Sequence, residues 1–125
     1  MACILVVDDD RDLRTALVRI LTKAGHEVVE AEDGGAAIAA YRARPADLII
    51  TDMYMPSVDG VEVVARLVDE FPDARLIVMS GGGQMEKEDV LDMARRLGAR
   101  RTLAKPIDRR ALLDAVDDVL GEVPP

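Results

Sequence analysis

The chain has 125 residues, half of them hydrophobic, and a formal net charge of −8. This length favours one domain with a substantial core, and the negative charge disfavours direct binding to nucleic acid. No apolar run approaches the ~20 residues of a membrane helix, and no signal peptide is recognisable. The single cysteine, Cys3, excludes an intramolecular disulfide, so we expect a cytoplasmic protein without membrane association.

The first part of the chain alternates strands and helices. The segment Cys3–Val7 is continuously apolar, which predicts a strand buried on both faces, as in parallel sheets. A helix follows, with apolar residues at helical spacing: Leu13, Ala16, Leu17, Ile20, Leu21 and Ala24. Gly25 is its stop signal. A short strand over 27–31 and an Ala-rich helix over 35–44 come next.

The rest of the chain repeats this alternation. Strands are predicted at 47–51, 76–79 and 102–104. The helices are marked by Val64, Leu67, Val68 and Phe71, then by Val90, Leu91, Ala94 and Leu97, then by Leu112, Leu113, Val116 and Leu120. Five alternations with short connections predict a parallel sheet covered by helices on both faces. We expect one domain over 3–121 and a tail over 122–125.

Polar residues follow four of the predicted strands. They are Asp8, Asp9 and Asp10 after the first, Asp52 after the third, Ser80 after the fourth and Lys105 after the fifth. The carboxyl ends of parallel strands share one edge of the sheet, where open α/β sheets bind ligands. Asp10 is expected to cap the first helix. The remaining groups predict three carboxylates, a hydroxyl and an ammonium in one small volume.

Such a cluster has a definite chemistry. Carboxylates this close repel one another, so either one takes a proton or a cation settles among them. Hard oxygen ligands with room for water suit Mg²⁺. With Mg²⁺ present, Asp52 is the candidate nucleophile toward phosphorus, which would give an aspartyl phosphate. Ser80 is then the candidate hydrogen-bond donor to the phosphoryl group, and Lys105 supplies a compact positive charge.

The motifs that carry these residues resemble those of the response-regulator receiver family of two-component signalling. They are Val6-Val7-Asp8-Asp9, the segment Ile50–Pro56 with Asp59-Gly60, Met79-Ser80-Gly81 and Ala104-Lys105-Pro106. Their order and spacing match over residues 3–121, each motif after its own strand. The resemblance, which is closest to chemotaxis-type regulators, implies a flavodoxin-like, doubly wound five-stranded parallel sheet in the order 2-1-3-4-5 with five helices.

The resemblance also implies a metal-binding set. The residue matching Asp9 ligates Mg²⁺ directly, and the one matching Asp8 acts through a water molecule. Asp52 and the backbone carbonyl of Tyr54 are the further ligands. Asp52 takes its phosphoryl group from the phosphohistidine of a histidine kinase or phosphotransfer protein, or from a small phosphodonor.

Three positions near the last strand complete the implied site. Ser80 and Lys105 contact the phosphoryl group, and the bond before Pro106 is expected to be cis. The family usually has a Tyr or Phe three residues before the lysine, which swings inward on phosphorylation. Thr102 stands there in this chain, so the usual aromatic switch cannot operate and the route of signal transmission is open.

The implied role is a phospho-acceptor that catalyses only its own phosphorylation and dephosphorylation. It would signal through contacts with a downstream protein target or an output domain, either alone or as part of a longer protein. A late cluster of arginines favours a solvated face, with docking or homodimer formation as the alternative: Arg95, Arg96, Arg100, Arg101, Arg109 and Arg110. A non-phosphorylated receiver-like binding module is the alternative function. A Mg²⁺-dependent phosphatase or phosphotransferase that acts on a small substrate is disfavoured, because Tyr54 stands where a second aspartate would serve as the general acid.

Overall fold

The computed structural model describes residues 2–52, 65–67, 69–80 and 98–121. Its strands are β1 (Cys3–Val7), β2 (Glu27–Ala31), β3 (Leu48–Asp52), β4 (Leu76–Ser80) and β5 (Arg101–Ala104). Its helices are α1 (Arg11–Lys23), α2 (Gly34–Ala43) and α3 (Arg109–Leu120), and residues 65–67 and 69–70 are helical as well. The predicted helix around 90–97 and the tail 122–125 lie outside the described residues.

The strands form one parallel sheet in the order β2-β1-β3-β4-β5. The predicted strand order and the doubly wound α/β fold are therefore confirmed. The chain runs from β1 outward to β2 on one side and then returns to place β3 on the other. The strand order therefore reverses between β1 and β3, and the carboxyl ends of the strands at such a reversal are where ligands bind in folds of this kind.

Alternate residues of β1 enter two different cores. Leu5 and Val7 pack in the core that contains α2, and Ile4 and Val6 pack in the core that contains α1 and α3. Because helices cover both faces, β1 and β3 are buried along their whole lengths, which explains their continuous apolar sequences. Each fully buried Leu or Ile side chain contributes about 1.5–3 kcal/mol to folding, so these two strands are rigid supports for the residues that follow them.

The ends of α1 are fixed by the residues that the sequence predicted. The Asp10 carboxylate accepts hydrogen bonds from the backbone N–H groups of Asp12 at 3.0 Å and Leu13 at 3.2 Å, so its predicted capping role is confirmed. Gly25 has a φ of +95°, a conformation that disfavours side chains with a Cβ. Within the part of the chain that is described, no helix has the length and apolar character needed to cross a membrane.

Candidate functional site

The carboxyl ends of β1 and β3 bring three aspartates together. Val7 and Thr51 are aligned across the two strands, so Asp8 follows β1 beside Asp52, the last residue of β3. One carboxylate oxygen from each of Asp8, Asp9 and Asp52 lies within 4.8 Å of the others. The structure thus assembles the three carboxylates that the sequence predicted to converge, while their roles in binding and catalysis stay predictions.

Lys105 reaches this cluster from the loop after β5. Its Nζ donates hydrogen bonds to Oδ2 of Asp52 at 2.9 Å and to Oδ2 of Asp8 at 3.2 Å. The Lys105–Pro106 peptide bond is cis, as predicted. The ammonium therefore bridges two carboxylates that come from neighbouring strands.

Burial and charge act in opposite directions on the pKa values of these groups. Burial raises the pKa of the Asp8 carboxyl, helped by the negative charge of Asp52 and opposed by the Asp10 N–H and by Lys105. Burial lowers the pKa of Lys105, but hydrogen bonds to Asp52 and Asp8 and their charges outweigh it, so the net shift is upward. Asp8 is fully buried, Asp52 is 4% exposed, and Asp9 is open to solvent.

The cluster carries more negative charge than Lys105 neutralises. Two like charges 4 Å apart repel by about 4 kcal/mol at an effective dielectric constant of 20. Asp8, Asp9 and Asp52 offer hard oxygen ligands, and the exposed Asp9 leaves space for water on one side. This donor set fits a small divalent cation such as Mg²⁺, which prefers a few carboxylates and retains several waters.

Four groups hold Asp8 in place. Its N–H donates to the carbonyl of Ala31 at 3.1 Å, and its Oδ1 accepts from the Asp10 N–H at 2.8 Å. Its carbonyl accepts from Nη1 of Arg14 at 2.7 Å, and Oδ2 faces Lys105. Arg14 in turn donates through Nε to Oε1 of Glu30 at 3.1 Å.

The sequence patterns did not identify Arg14 and Glu30 as residues of this site. A signal was available for Arg14, because helix side chains tilt toward the N-terminus. A residue one turn into α1 can therefore reach back over the acidic segment that precedes the helix. Glu30 gave no such signal, since an exposed glutamate on the edge strand β2 is ordinary.

The other predicted site residues are only partly described. Ser80 ends β4 opposite Ala104, but its hydroxyl and all of Tyr54 lie outside the described residues. Thr102 is half-buried in β5 and is aligned with Val78. In this chain, the position at which the family usually has its switch aromatic is therefore occupied by Thr102, a residue within β5.

Comparisons with a family model and with known proteins point to the same family. The family model for the response regulator receiver domain matches residues 4–117. The chain is 31% identical over 120 residues to the response regulator receiver protein CpdR of Brucella abortus (strain 2308), which covers 96% of this chain and 98% of that protein. It is 33% identical over 119 residues to sporulation initiation phosphotransferase F of Bacillus subtilis (strain 168), with 94% and 92% covered.

The solved structures agree with the sequence relatives. The receiver domain of NtrX from Brucella abortus superposes with a TM-score of 0.90 at 29% identity, covering 96% of this chain and 99% of that one. In a longer NtrX structure from the same organism, solved with ADP, the matched region is 27% of that chain. The chain therefore spans the whole of some relatives and about a quarter of others.

Proposed function

Because this chain belongs to the response regulator receiver domain family, we propose that it accepts a phosphoryl group on Asp52 in a Mg²⁺-dependent reaction. Family membership makes it a signalling domain of the two-component type. The choice of Asp52 as acceptor is our inference from the site. It separates this proposal from the alternative of a receiver-like module that binds partners without being phosphorylated.

The contact between Asp52 and Lys105 carries the proposal. A nucleophilic carboxylate needs a positive charge nearby that can accompany the incoming phosphoryl group. Oδ2 of Asp52 is held by the Lys105 ammonium at 2.9 Å. One carboxylate oxygen from each of Asp8 and Asp9 lies within 4.8 Å of an oxygen of Asp52, where a cation would be held.

The proposed reaction transfers one phosphoryl group between two side chains. A carboxylate oxygen of Asp52 attacks phosphorus, and the new O–P bond forms as the P–N bond of a phosphohistidine breaks. The electron pair of that bond returns to the imidazole of the donor. Hydrolysis reverses the modification, because water attacks phosphorus and restores the Asp52 carboxylate with release of inorganic phosphate. The domain would thus catalyse its own phosphorylation and dephosphorylation. It would not act on an external metabolite.

Mg²⁺ would be held by Asp8, Asp9 and Asp52, with the Tyr54 backbone carbonyl as a further ligand. When bound, the ion supplies positive charge that offsets negative charge on the phosphoryl oxygens. Lys105 contributes a second positive charge from the loop after β5. The Ser80 hydroxyl is the remaining proposed contact to the phosphoryl group.

The proposed partners follow from this chemistry. The donor is a histidine kinase or a phosphotransfer protein that carries phosphohistidine, and a small phosphodonor can replace it. The receiver of the signal is a downstream protein or an output domain. One relative is named a sporulation initiation phosphotransferase. That name supports the proposal that this chain takes part in phosphoryl transfer.

Intact-protein mass spectrometry tests this proposal. Wild-type protein is incubated with acetyl phosphate, with Mg²⁺ or with EDTA, beside Asp52→Asn and the matched control Asp117→Asn. Asp117 is an exposed aspartate of α3, distant in sequence from the proposed acceptor. We expect one phosphoryl group on wild type and on Asp117→Asn with Mg²⁺, and none on Asp52→Asn or with EDTA.

The alternative outcomes separate the two functions. A phosphoryl group that persists on Asp52→Asn would reject this residue as the acceptor. Absence of any adduct on wild type, from acetyl phosphate and from a phosphohistidine donor alike, would favour the non-phosphorylated binding module. Phosphorylation that is equally fast in EDTA would reject the requirement for Mg²⁺.

A further inference from the structure

Arg14 connects the acidic cluster to two other elements. Its Nη1 donates to the backbone carbonyl of Asp8 at 2.7 Å, and its Nε donates to Oε1 of Glu30 at 3.1 Å. The Arg14 side chain is only 14% exposed, whereas that of Glu30 is 47% exposed. Arg14 therefore joins α1, the end of β1 and the edge strand β2 through one guanidinium.

The planar guanidinium is suited to this connection. Its donors project in a fixed fork, so an acceptor on Nε determines where Nη1 points. The carboxylate of Glu30 occupies Nε and thereby directs Nη1 toward the Asp8 carbonyl. A lysine at this position would offer one flexible ammonium and could not hold both acceptors in a fixed relation.

The Asp8 carbonyl is a sensitive point for the geometry of the cluster. It belongs to the peptide unit between Asp8 and Asp9, so a hydrogen bond to it restrains ψ of Asp8 and φ of Asp9, the two dihedral angles that set the relative orientation of the two side chains. The Asp8 side chain already has its own partners in the Asp10 N–H and Lys105. Arg14 supplies the restraint on the backbone that those side-chain contacts do not.

We propose that Arg14, oriented by Glu30, is a positioning residue that fixes the Asp8–Asp9 peptide unit for cation binding. The inference rests on the proposed function, since Mg²⁺ is the cation that the cluster is proposed to hold. Groups that orient metal ligands typically change metal affinity 10–100-fold when they are removed. Arg14 would act without touching the ion or the phosphoryl group.

Electrostatics alone predicts the opposite sign. Removing a positive charge near a divalent cation should strengthen binding. If Arg14 mainly positions the Asp8–Asp9 peptide unit, its removal should weaken binding instead. The direction of the change in Kd therefore distinguishes positioning from a simple charge effect.

Isothermal titration calorimetry with Mg²⁺ alone tests the inference on the whole chain. We compare wild type, Arg14→Ala and Arg19→Ala, which removes the same charge from an exposed position of the same helix. We expect Arg14→Ala to raise the Kd for Mg²⁺ about 10-fold and Arg19→Ala to leave it unchanged. Urea unfolding in EDTA reports the stability of each variant separately. Arg14→Gln, whose side chain is too short to reach the Asp8 carbonyl, carries the same expectation if Arg14→Ala does not fold.

The role of Glu30 in orienting Arg14 is tested by measuring Mg²⁺ affinity in single and double variants. Glu30→Ala should weaken Mg²⁺ binding in the wild-type background, because Arg14 loses its orientation. It should add nothing in the Arg14→Ala background, since residues that act as a unit are non-additive. Additive effects would overturn the coupling between Glu30 and Arg14.

The results separate this inference from the proposed function. A folded Arg14→Ala protein that binds Mg²⁺ as tightly as wild type, or more tightly, would overturn the positioning role and leave the proposed function intact. Absence of Mg²⁺ binding by wild type would reject the proposed metal site itself. A lower stability of Arg14→Ala with an unchanged Kd would mark Arg14 as a purely structural residue.

Discussion

Charged residues lie at both ends of the parallel strands but in different states. At the carboxyl edge, Asp8 and Asp52 are buried, and both carboxylates contact the same ammonium, that of Lys105. At the amino edge, Glu27 of β2 pairs with Arg44 after α2, and their side chains are 47% and 57% exposed. The carboxyl edge thus buries two carboxylates that share one ammonium. The amino edge exposes to solvent an ion pair with one charge of each sign.

The amino edge shows how charges are used for structure alone. Nη1 of Arg44 donates to Oε1 of Glu27 at 2.7 Å, and the Arg44 hydrogen bonds lower the pKa of Glu27. Asp47 accepts the Cys3 N–H at 2.7 Å and donates its own N–H to the Cys3 carbonyl at 2.8 Å. Glu27, Arg44, Asp47 and Cys3 thus each have a partner of complementary character at this edge.

This difference between the two edges indicates that the functional site lies at the carboxyl edge. An unbalanced buried cluster lowers stability, and such arrangements concentrate at functional sites where the imbalance attracts a ligand. Exposed ion pairs such as that of Glu27 and Arg44 contribute little either way.

The largest expected effect comes from removing the ammonium of the carboxyl edge. Lys105→Met should slow phosphorylation at least about 100-fold, as loss of one charge-stabilising donor typically does. Without Mg²⁺ it should also lower the free energy of unfolding by about 3 kcal/mol, because the buried Asp8 and Asp52 lose their shared partner. Intact mass over time and urea unfolding measure the two effects. Arg44→Met, the equivalent change at the amino edge, should phosphorylate at the wild-type rate.

The stability effect of Lys105 has a defined pH window. Because the folded-state pKa of Lys105 is raised, its stabilising contribution is fully present below the unfolded value of about 10.4. It is lost as the pH rises through the folded-state value. The gap between wild type and Lys105→Met should therefore be constant at neutral pH and narrow in the alkaline range. A gap that is already absent at pH 7 would contradict the ion-pair interpretation.

Mg²⁺ should stabilise the protein through the carboxyl edge only. At a concentration 100 times its Kd, a ligand that binds only the folded state adds about 2.7 kcal/mol to the free energy of unfolding. We expect this gain for wild type and for Arg44→Met, and its loss in Asp52→Asn. Urea unfolding with Mg²⁺, then with excess EDTA, measures it. An equal gain in Asp52→Asn would mean that the ion binds elsewhere.

The sequence was sufficient for the fold and for the convergence of Asp8, Asp52 and Lys105. Continuous apolar segments identify β1, β3 and β4, and a parallel sheet then forces the residues that follow its strands onto one edge. The sequence did not separate the buried Asp8 from the exposed Asp9, because adjacent residues of one type differ only in the direction that the backbone gives them. The Arg14–Glu30 contact was equally invisible, since it depends on how α1 lies against the edge strand β2.

Removing the buried negative charge should stabilise the protein in the absence of metal. Asp8→Asn keeps an acceptor for the Asp10 N–H and relieves repulsion with Asp52, so we expect the free energy of unfolding to rise by about 1 kcal/mol at pH 7, the usual gain when a destabilising charge of a functional site is removed. It should simultaneously weaken Mg²⁺ binding. Urea unfolding in EDTA and calorimetry measure the two opposite changes.

The same variant has a pH dependence with a fixed sign. The folded-state pKa of Asp8 is raised above its unfolded value, so the stability associated with its protonated form is present below that unfolded value of about 3.9. It is lost as the pH rises through the folded-state value. The advantage of Asp8→Asn should therefore be small at pH 4 and grow toward neutral pH. An advantage that shrinks with rising pH would refute the burial argument.

The smallest effect is expected at the amino edge. Glu27→Gln removes a carboxylate whose pKa is lowered by Arg44, so its contribution exists above the unfolded value of about 4.3 and is lost as the pH falls through the folded-state value. Because the pair is exposed, salt should screen it, and thermal unfolding should show a slight decrease at pH 7 in low salt that disappears in 1 M NaCl. Lys105→Met, in contrast, should keep most of its deficit at high salt, since buried pairs are screened much less. If Glu27→Gln cost as much as Lys105→Met and resisted salt equally, exposure would not distinguish the two edges, and the imbalance at the carboxyl edge would lose its significance.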